Sequence, residues 1–371
     1  MTIPIAPSGV LTSADVLSSF NTVARAAKLA SMLDDGASTA ATASLRYVDP
    51  KEPGYLRRRR GRGHVLLDER GQVVRAARVL TRIRKLALPP AWHDVWICRD
   101  EDGHIQAIGR DARGRKQYRY HARWRAVRDA ANYDRLREFY KALPRLRSAV
   151  SRDLACRCPC KTKVAAAAVA LIERGHLRVG NDQYTRANGS YGATTLLARH
   201  AQVHGHTVEL DFVAKGGKRR AIRFRDARLA RVIGQLKAER GARLFQYRDG
   251  SRRRVLSSND VNEYLHTHAG VSCSAKVFRT WGATVAAALA LAEAPAVEGI
   301  TARKRVTLQV VRAVSQRLGN TPAVCRKSYI HPLLLARYMT GDLDESLARL
   351  QRARARDESR AEAMVVQMLA A

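Results

Sequence analysis

The chain has 371 residues, 67 Lys and Arg against 33 Asp and Glu, a formal net charge of +34 and 46% hydrophobic residues. That surplus of cations selects a polyanionic partner, and the hydrophobic share excludes a basic disordered tail. No apolar run approaches the ~18 residues of a membrane-spanning helix, no secretory signal is expected, and this length predicts two domains with terminal extensions.

Residues 13–32 place Val16, Phe20, Val23, Ala27 and Ala30 on a helical stripe behind a Ser13 cap. Gly36 to Ser44 consists of Ala, Ser, Thr and Gly and reads as a linker, so 1–44 is expected to be an amino-terminal helix and linker. Short strands then follow: HVLLD at 64–68, an Arg70-Gly71 turn, QVV at 72–74, VWIC at 95–98, an Asp102-Gly103 turn and HIQAI at 104–108. A helix from Val79 to Leu86 should stop at Pro89-Pro90. Residues 45–124 are thus predicted to be a small antiparallel β-sheet domain.

Beyond Trp124 the pattern is Ala- and Leu-rich and helical, over about 125–141, 145–155, 161–174, 226–239, 257–268, 274–293 and 301–317. Within this mainly α domain, 125–341, Thr207 to Phe224 alternates apolar and polar residues around Lys215-Gly216-Gly217-Lys218, which predicts a β-hairpin with a lysine at its tip. From Asp342 an amphipathic helical tail, 342–371, carries Leu343, Leu347 and Leu350. The fold class is α+β.

Two clusters stand out by composition. RDARGRKQYRYHARWRAVR at 110–128 has eight Arg or Lys and one Asp, interleaved with Tyr118, Tyr120 and Trp124. Aromatics among many cations with little acidic screening fit a DNA-contacting surface, although alternate positions of an edge strand would also bury both tyrosines. Arg57 to Arg60, followed by Gly61-Arg62-Gly63, reads as a flexible phosphate grip. Of the six cysteines, only Cys156, Cys158 and Cys160 lie close together, without paired CxxC spacing or an evident fourth ligand; reduced thiols and no metal or cofactor are expected.

Phosphodiester transfer without a metal needs a nucleophile, cations around the nonbridging oxygens and an acid for the leaving alkoxide. Arginine supplies permanent charge in a planar fork, and lysine among other cations supplies a transferable proton. Isolated Arg, Lys and Tyr residues would therefore carry the site.

Four segments in order resemble the type IB topoisomerase family of poxviruses and bacteria: GRKQYRYH at 114–121, LRVGNDQYTRANGSYGATTL at 177–196, SAKVFRTWGAT at 274–284 and LGNTPAVCRKSYIHP at 318–332. LALPPAWHDVWIC at 86–98 is similar to the family's amino-terminal domain. The resemblance implies a catalytic domain of the tyrosine recombinase and topoisomerase IB fold, acting as a monomer on double-stranded DNA in the cytoplasm, at the nucleoid, with the two domains closing as a clamp. It implies that Arg178 and Arg279 clamp nonbridging oxygens, Lys215 is the general acid, Asn320 hydrogen-bonds the phosphate and Tyr329 is the nucleophile. Lys218 competes with Lys215, and Asn320 after Leu318-Gly319 also reads as a helix terminator. DNA contacts implied in the same way are Arg113, Arg115, Gln117, Tyr118, Tyr120, Arg128, Tyr184 and Lys276. Tyr184 reads equally well as core.

CRCPCK at 156–161 and Gly282, where relatives often carry a bulkier residue, depart from the pattern. The nearest rival is a tyrosine recombinase, which usually has His-x-x-Arg where this chain has Lys276-Val-Phe-Arg279. A noncatalytic DNA-coating protein would explain the charge but not the ordered motifs.

Overall fold

The computed structural model describes residues 36–61, 63–271, 273–354 and 357–369. The helix expected over 13–32 and Arg62 lie outside them. The described residues divide into two compact units, 36–134 and 135 onward, with a β-sheet in the first and a mainly helical second.

The first unit contains helix α1 (Gly36–Thr42), strands β1 (Tyr55–Arg60) and β2 (Gly63–Leu67), helix α2 (Ala77–Lys85), and strands β3 (His93–Ile97), β4 (Ile105–Arg110) and β5 (Lys116–Tyr120). The strands form one antiparallel sheet in the order β2-β1-β3-β4-β5. Val95, Ile97 and Ala107 from the sheet pack with Ile83 of α2. Each such side chain contributes roughly 1.5–3 kcal/mol by leaving water.

Three readings of the sequence are corrected here. Gly36 to Ser44 is not a linker: α1 brings Ala40 and Ala43 against Trp124, Val127 and Ala130, and small side chains are what allow that close approach. Arg57 to Arg60 is not a flexible grip: these residues form β1, paired with β2 and β3. The Arg57 guanidinium donates to the carbonyls of Leu88 (3.2 Å), Pro89 (2.8 Å) and Trp92 (2.8 Å), so it is a structural staple for the Pro89-Pro90 corner. QVV at 72–74 makes only a bridge between Val73 and Leu67 instead of a strand.

Helix α3 (Ala122–Leu154) runs through Pro144, where the sequence predicts a break. An interior proline removes one backbone hydrogen bond and costs about 3 kcal/mol. Leu136, Phe139, Leu143 and Leu146, each at most 1% exposed, form a continuous buried stripe across that point and offset it.

The second unit continues with α4 (Lys161–Gly175), the short α5 (Asp182–Asn188), a three-stranded antiparallel sheet of β6 (Ala201–His204), β7 (Thr207–Ala214) and β8 (Lys218–Arg225), and α6 (Ala227–Ala238). The hairpin β9 (Gln246–Asp249) and β10 (Arg252–Val255) leads to α7 (Ser258–Ala269), α8 (Lys276–Glu293), α9 (Ile300–Leu318), α10 (Pro322–Ser328) and α11 (Pro332–Thr340). The predicted hairpin is β7–β8, with Ala214 opposite Lys218 and Lys215-Gly216-Gly217 as its turn.

The tail beyond Asp342 is two helices, α12 (Asp344–Arg354) and α13 (Glu358–Met368), that pack on α8. Leu343, Leu347, Leu350 and Val365 are buried, and so is Glu362. The Glu362 carboxylate takes both arms of Arg147 (2.7 and 2.9 Å) and the Trp281 indole N–H (3.3 Å). A fork-to-fork pair of this kind fixes orientation as well as charge, so the tail buttresses the helix that carries Arg279. No helix among the described residues is long and apolar enough to cross a membrane.

Candidate active site

Arg279 is the deepest cation of the second unit, 2% exposed on the first turns of α8. It survives burial because two helix C-termini receive it: Nη1 donates to the carbonyl of His176, the C-cap of α4, and Nη2 to that of Leu318 (3.0 Å), the last residue of α9. Carbonyls at a helix C-terminus have no intrahelical partner and carry the negative end of the dipole. The third donor, Nε, is buried with no acceptor among the described residues.

Arg178 follows His176 by two residues. Its backbone is gripped by the segment that follows α5: Ala193 N–H donates to the Arg178 carbonyl at 2.8 Å and Thr194 N–H to Val179 at 2.7 Å. A Cβ on Gly192 would sit 2.7 Å from the Arg178 carbonyl oxygen and 2.6 Å from the Gly180 nitrogen, so only glycine allows the approach. The Arg178 guanidinium donates to Oδ1 of Asn320. Asn320 is buried just past the Gly319 cap of α9, so the helix stop also delivers its side chain to Arg178. Its Nδ2 also lacks an acceptor among the described residues.

Tyr329 caps the C-terminus of α10 and is half-buried, its carbonyl accepting from Thr284 Oγ1 of α8 at 3.3 Å. The Arg279 guanidinium lies 5.0 Å from the centre of its ring. Burial opposes ionisation of the phenol, but the charge and hydrogen bond of Arg279, with Arg178 and Lys276, outweigh it and hold Tyr329 below the ordinary phenol value. Lys276 stands exposed one turn before Arg279.

Lys215 is exposed at the hairpin tip, its ammonium 5.5 Å from the centre of the Tyr184 ring. Together with Arg178 and Tyr191 these two line a pocket of about 220 Å³. Tyr184 is exposed and belongs to this surface, not to the core. Lys218 donates to the Asn320 carbonyl at 3.2 Å, which makes it an anchor of the Asn320 turn and leaves the tip position to Lys215.

Beside the site, Arg220 was not singled out from the sequence. It donates to the carbonyls of Gly175 (3.2 Å) and Arg317 (2.7 Å) and lines a cleft of about 560 Å³ with His176, Lys218 and Asn320. Burial, and then Arg279 and Arg178, lower its pKa to about 10. Burial and Arg178 lower that of Arg279. Three neighbouring arginines, with no carboxylate lining either cavity among the described residues, form a receptor for an anion.

Gly282 has a physical reason. A Cβ there would lie 2.3 Å from Cε1 of His176. The His176 ring, both nitrogens buried and unpartnered among the described residues, occupies the space of a larger residue. Since the His176 carbonyl holds Arg279, this departure touches the site. Gly282→Ala is expected to cost about 1–3 kcal/mol by overpacking, and to displace the Arg279 guanidinium, slowing any reaction that depends on its placement up to about 100-fold. His176→Ala in that background should restore most of both losses; strictly additive effects in a double-mutant cycle would refute the coupling.

Two buried histidines also predict acid sensitivity. Burial, then nearby Arg317, Arg279 and Arg220, bring the pKa of His176 down to about 3; burial and Arg137 do the same for His331, whose Nδ1 accepts from Leu333 N–H at 3.2 Å. Both lie below the ordinary histidine value, so the folded chain binds fewer protons than the unfolded one between about 3 and 6.5. Stability therefore falls as pH is lowered through that window. Denaturant titrations of His331→Asn should show a shallower acid slope, by up to about 1.4 kcal/mol per pH unit; an unchanged slope would contradict the assignment.

In the first unit, β5 is the edge strand, and Tyr118 and Tyr120 stack on one of its faces (5.8 Å, 15°), with Tyr120 stacked on Trp124 (6.2 Å, 16°). Tyr118 is exposed and Tyr120 half-buried. The Arg128 guanidinium lies 6.0 Å from the centre of the Trp124 ring. Asp111 was undervalued: it accepts from Arg115 Nε (2.8 Å), Gln117 Nε2 (3.0 Å) and the Arg113 backbone N–H (3.0 Å), organising the loop before β5. The Arg115 hydrogen bond, despite some desolvation, lowers its pKa to about 2.

Residues 121–354 match the family model described as eukaryotic DNA topoisomerase I, catalytic core, and residues 63–111 match bacterial DNA topoisomerase IB, N-terminal domain. A DNA topoisomerase 1B from Acanthamoeba polyphaga mimivirus is 33% identical over 267 residues, which span 70% of this chain and 80% of that protein.

Proposed function

The chain belongs to the type IB DNA topoisomerases, isomerases that act on DNA, and from that premise we propose that Tyr329 cuts and reseals one strand through a 3′-phosphotyrosyl intermediate, without ATP or a metal ion. The Tyr329 phenol gives its proton to solvent and attacks the scissile phosphorus as the phenolate, the phosphorus–O5′ bond breaks, and Lys215 gives its own proton to the departing 5′-oxygen. Rotation of the freed end relaxes the duplex; the 5′-hydroxyl then attacks the phosphotyrosine and returns the proton to Lys215. Energy is held in the phosphodiester throughout, so no nucleotide is consumed.

The observation that carries this reading is a phenol facing Arg279, beside two buried N–H donors, Arg279 Nε and Asn320 Nδ2, that lack acceptors among the described residues. A nonbridging phosphate oxygen supplies the missing acceptor for each, and the arginine cluster does the work a hard cation would do elsewhere. Arg178, tethered to Asn320, completes the clamp. The recombinase-like catalytic fold, the single-chain working state and DNA contacts by Arg113, Arg115, Gln117, Tyr118, Tyr120, Arg128, Tyr184 and Lys276 belong to the same proposal.

Denaturing the protein rapidly on end-labelled duplex should trap a covalent adduct, in chelator and without nucleotide, with the label mapping to Tyr329 and to a 3′ end. A 5′ linkage, another residue, or an adduct that forms only with a divalent ion would each defeat the mechanism.

A further inference from the structure

Between α3 and α4 lies a loop that the reaction does not use. Cys156, Cys158 and Cys160 alternate in sequence, and in an extended chain the first and last would be roughly 13 Å apart. Bends at Arg157 and Cys158 instead bring all three sulfurs within 4.8 Å of one another. Both ends of the loop are fixed. Cys156 N–H donates to Asp153 at 3.2 Å, the Pro159 carbonyl accepts from Arg248 at 3.4 Å, and Cys160 is the N-cap of α4. Lys161, the next residue, bridges Asp260 (2.8 Å) and Glu263 (2.9 Å) of α7. All three thiols are free, Cys156 and Cys158 exposed and Cys160 half-buried, and no histidine or carboxylate joins the cluster among the described residues.

We propose that Cys156, Cys158 and Cys160 form a trithiolate site for one thiophilic cation, Zn(II) or Cu(I), with no role in strand cleavage. Soft thiolates select these ions over magnesium or calcium. Sulfurs at about 2.3 Å from a tetrahedral zinc stand about 3.8 Å apart, so side-chain rotation closes the present arrangement onto an ion. Cu(I) is satisfied by three thiolates, and Zn(II) would keep a fourth position open to water. The site would be anionic, and the N-terminal end of α4 beside Cys160 offsets that charge. A bound ion would clip the end of α3 to the start of α4, the helix whose far end supplies His176 and leads into Arg178.

The test uses the reduced full-length protein. It is incubated with Zn(II), or anaerobically with Cu(I), then desalted and assayed for metal and for thiols open to a chromogenic disulfide reagent. The site predicts about one retained ion per chain for at least one of the two metals, and protection of the three clustered thiols. C156S, C158S and C160S should each weaken retention about tenfold or more, C273S should not, and the triple Cys→Ser variant should retain none while still relaxing plasmid. Retention of neither ion by the wild-type chain, or equal retention by the triple variant, overturns the site and leaves the Tyr329 mechanism untouched.

Discussion

Tyr329→Phe should bind duplex DNA as the parent chain does and relax no detectable supercoils, a fall of at least about 10⁴-fold in rate. The substitution removes only the oxygen. The ring keeps its place against Arg279 and the backbone keeps its bond from Thr284, so stability should change by no more than about 1.5–3 kcal/mol, the worth of one hydrogen bond to a charged group. Gel shift, thermal unfolding and plasmid relaxation on one preparation separate these effects. Residual relaxation with a trapped adduct at another residue would remove Tyr329 from the reaction; loss of binding together with activity would make it a structural residue.

Residues that the sequence singled out stand near one another in the structure, and their local settings say why. Arg178, Lys215, Arg279, Asn320 and Tyr329 sit in short segments whose neighbours have mechanical tasks: Gly192 admits the backbone beside Arg178, Gly319 turns Asn320 inward, and the β7–β8 turn presents Lys215. Such segments keep their residue types together, and resemblance finds them. Periodicity alone recovered the long helices and the β7–β8 hairpin for a similar reason, since each buries one regular face.

What the sequence concealed depends on partners far away along the chain. Four consecutive arginines look solvated, yet Arg57 is half-buried because three carbonyls near Pro89 need a donor. Pro144 looks like a helix end until the leucines on either side of it are seen to share one core. Gly282 looks like an unexplained loss of bulk until His176 fills the space. Arg220 had no signal at all; its task is to meet the carbonyls of Gly175 and Arg317 at the ends of two helices. The three close cysteines lack paired CxxC spacing, and it is bends at Arg157 and Cys158 that gather their sulfurs.

Arg279→Ala is the second large effect, about 10³-fold or more in single-turnover cleavage, and its pH profile is the sharper test. In the parent chain Arg279, with Arg178 and Lys276, outweighs burial and holds the phenol below its ordinary value. Without Arg279, burial acts with less opposition, so the pKa of Tyr329 should rise. The alkaline limb of the cleavage rate, which follows the phenolate, should move to higher pH, toward or beyond the free value of about 10. The variant also strips a donor from the carbonyls of His176 and Leu318, costing about 1–3 kcal/mol for each buried acceptor left unpaired. Arg279→Lys separates the two losses, because an ammonium keeps the charge but cannot reach both carbonyls and the phosphate with one planar fork. Its alkaline limb should stay nearer the parent while its maximal rate falls. If Arg279→Ala cleaves slowly with an unmoved pH profile, the guanidinium acts on the phosphate alone and the activation of Tyr329 must come from Arg178 and Lys276.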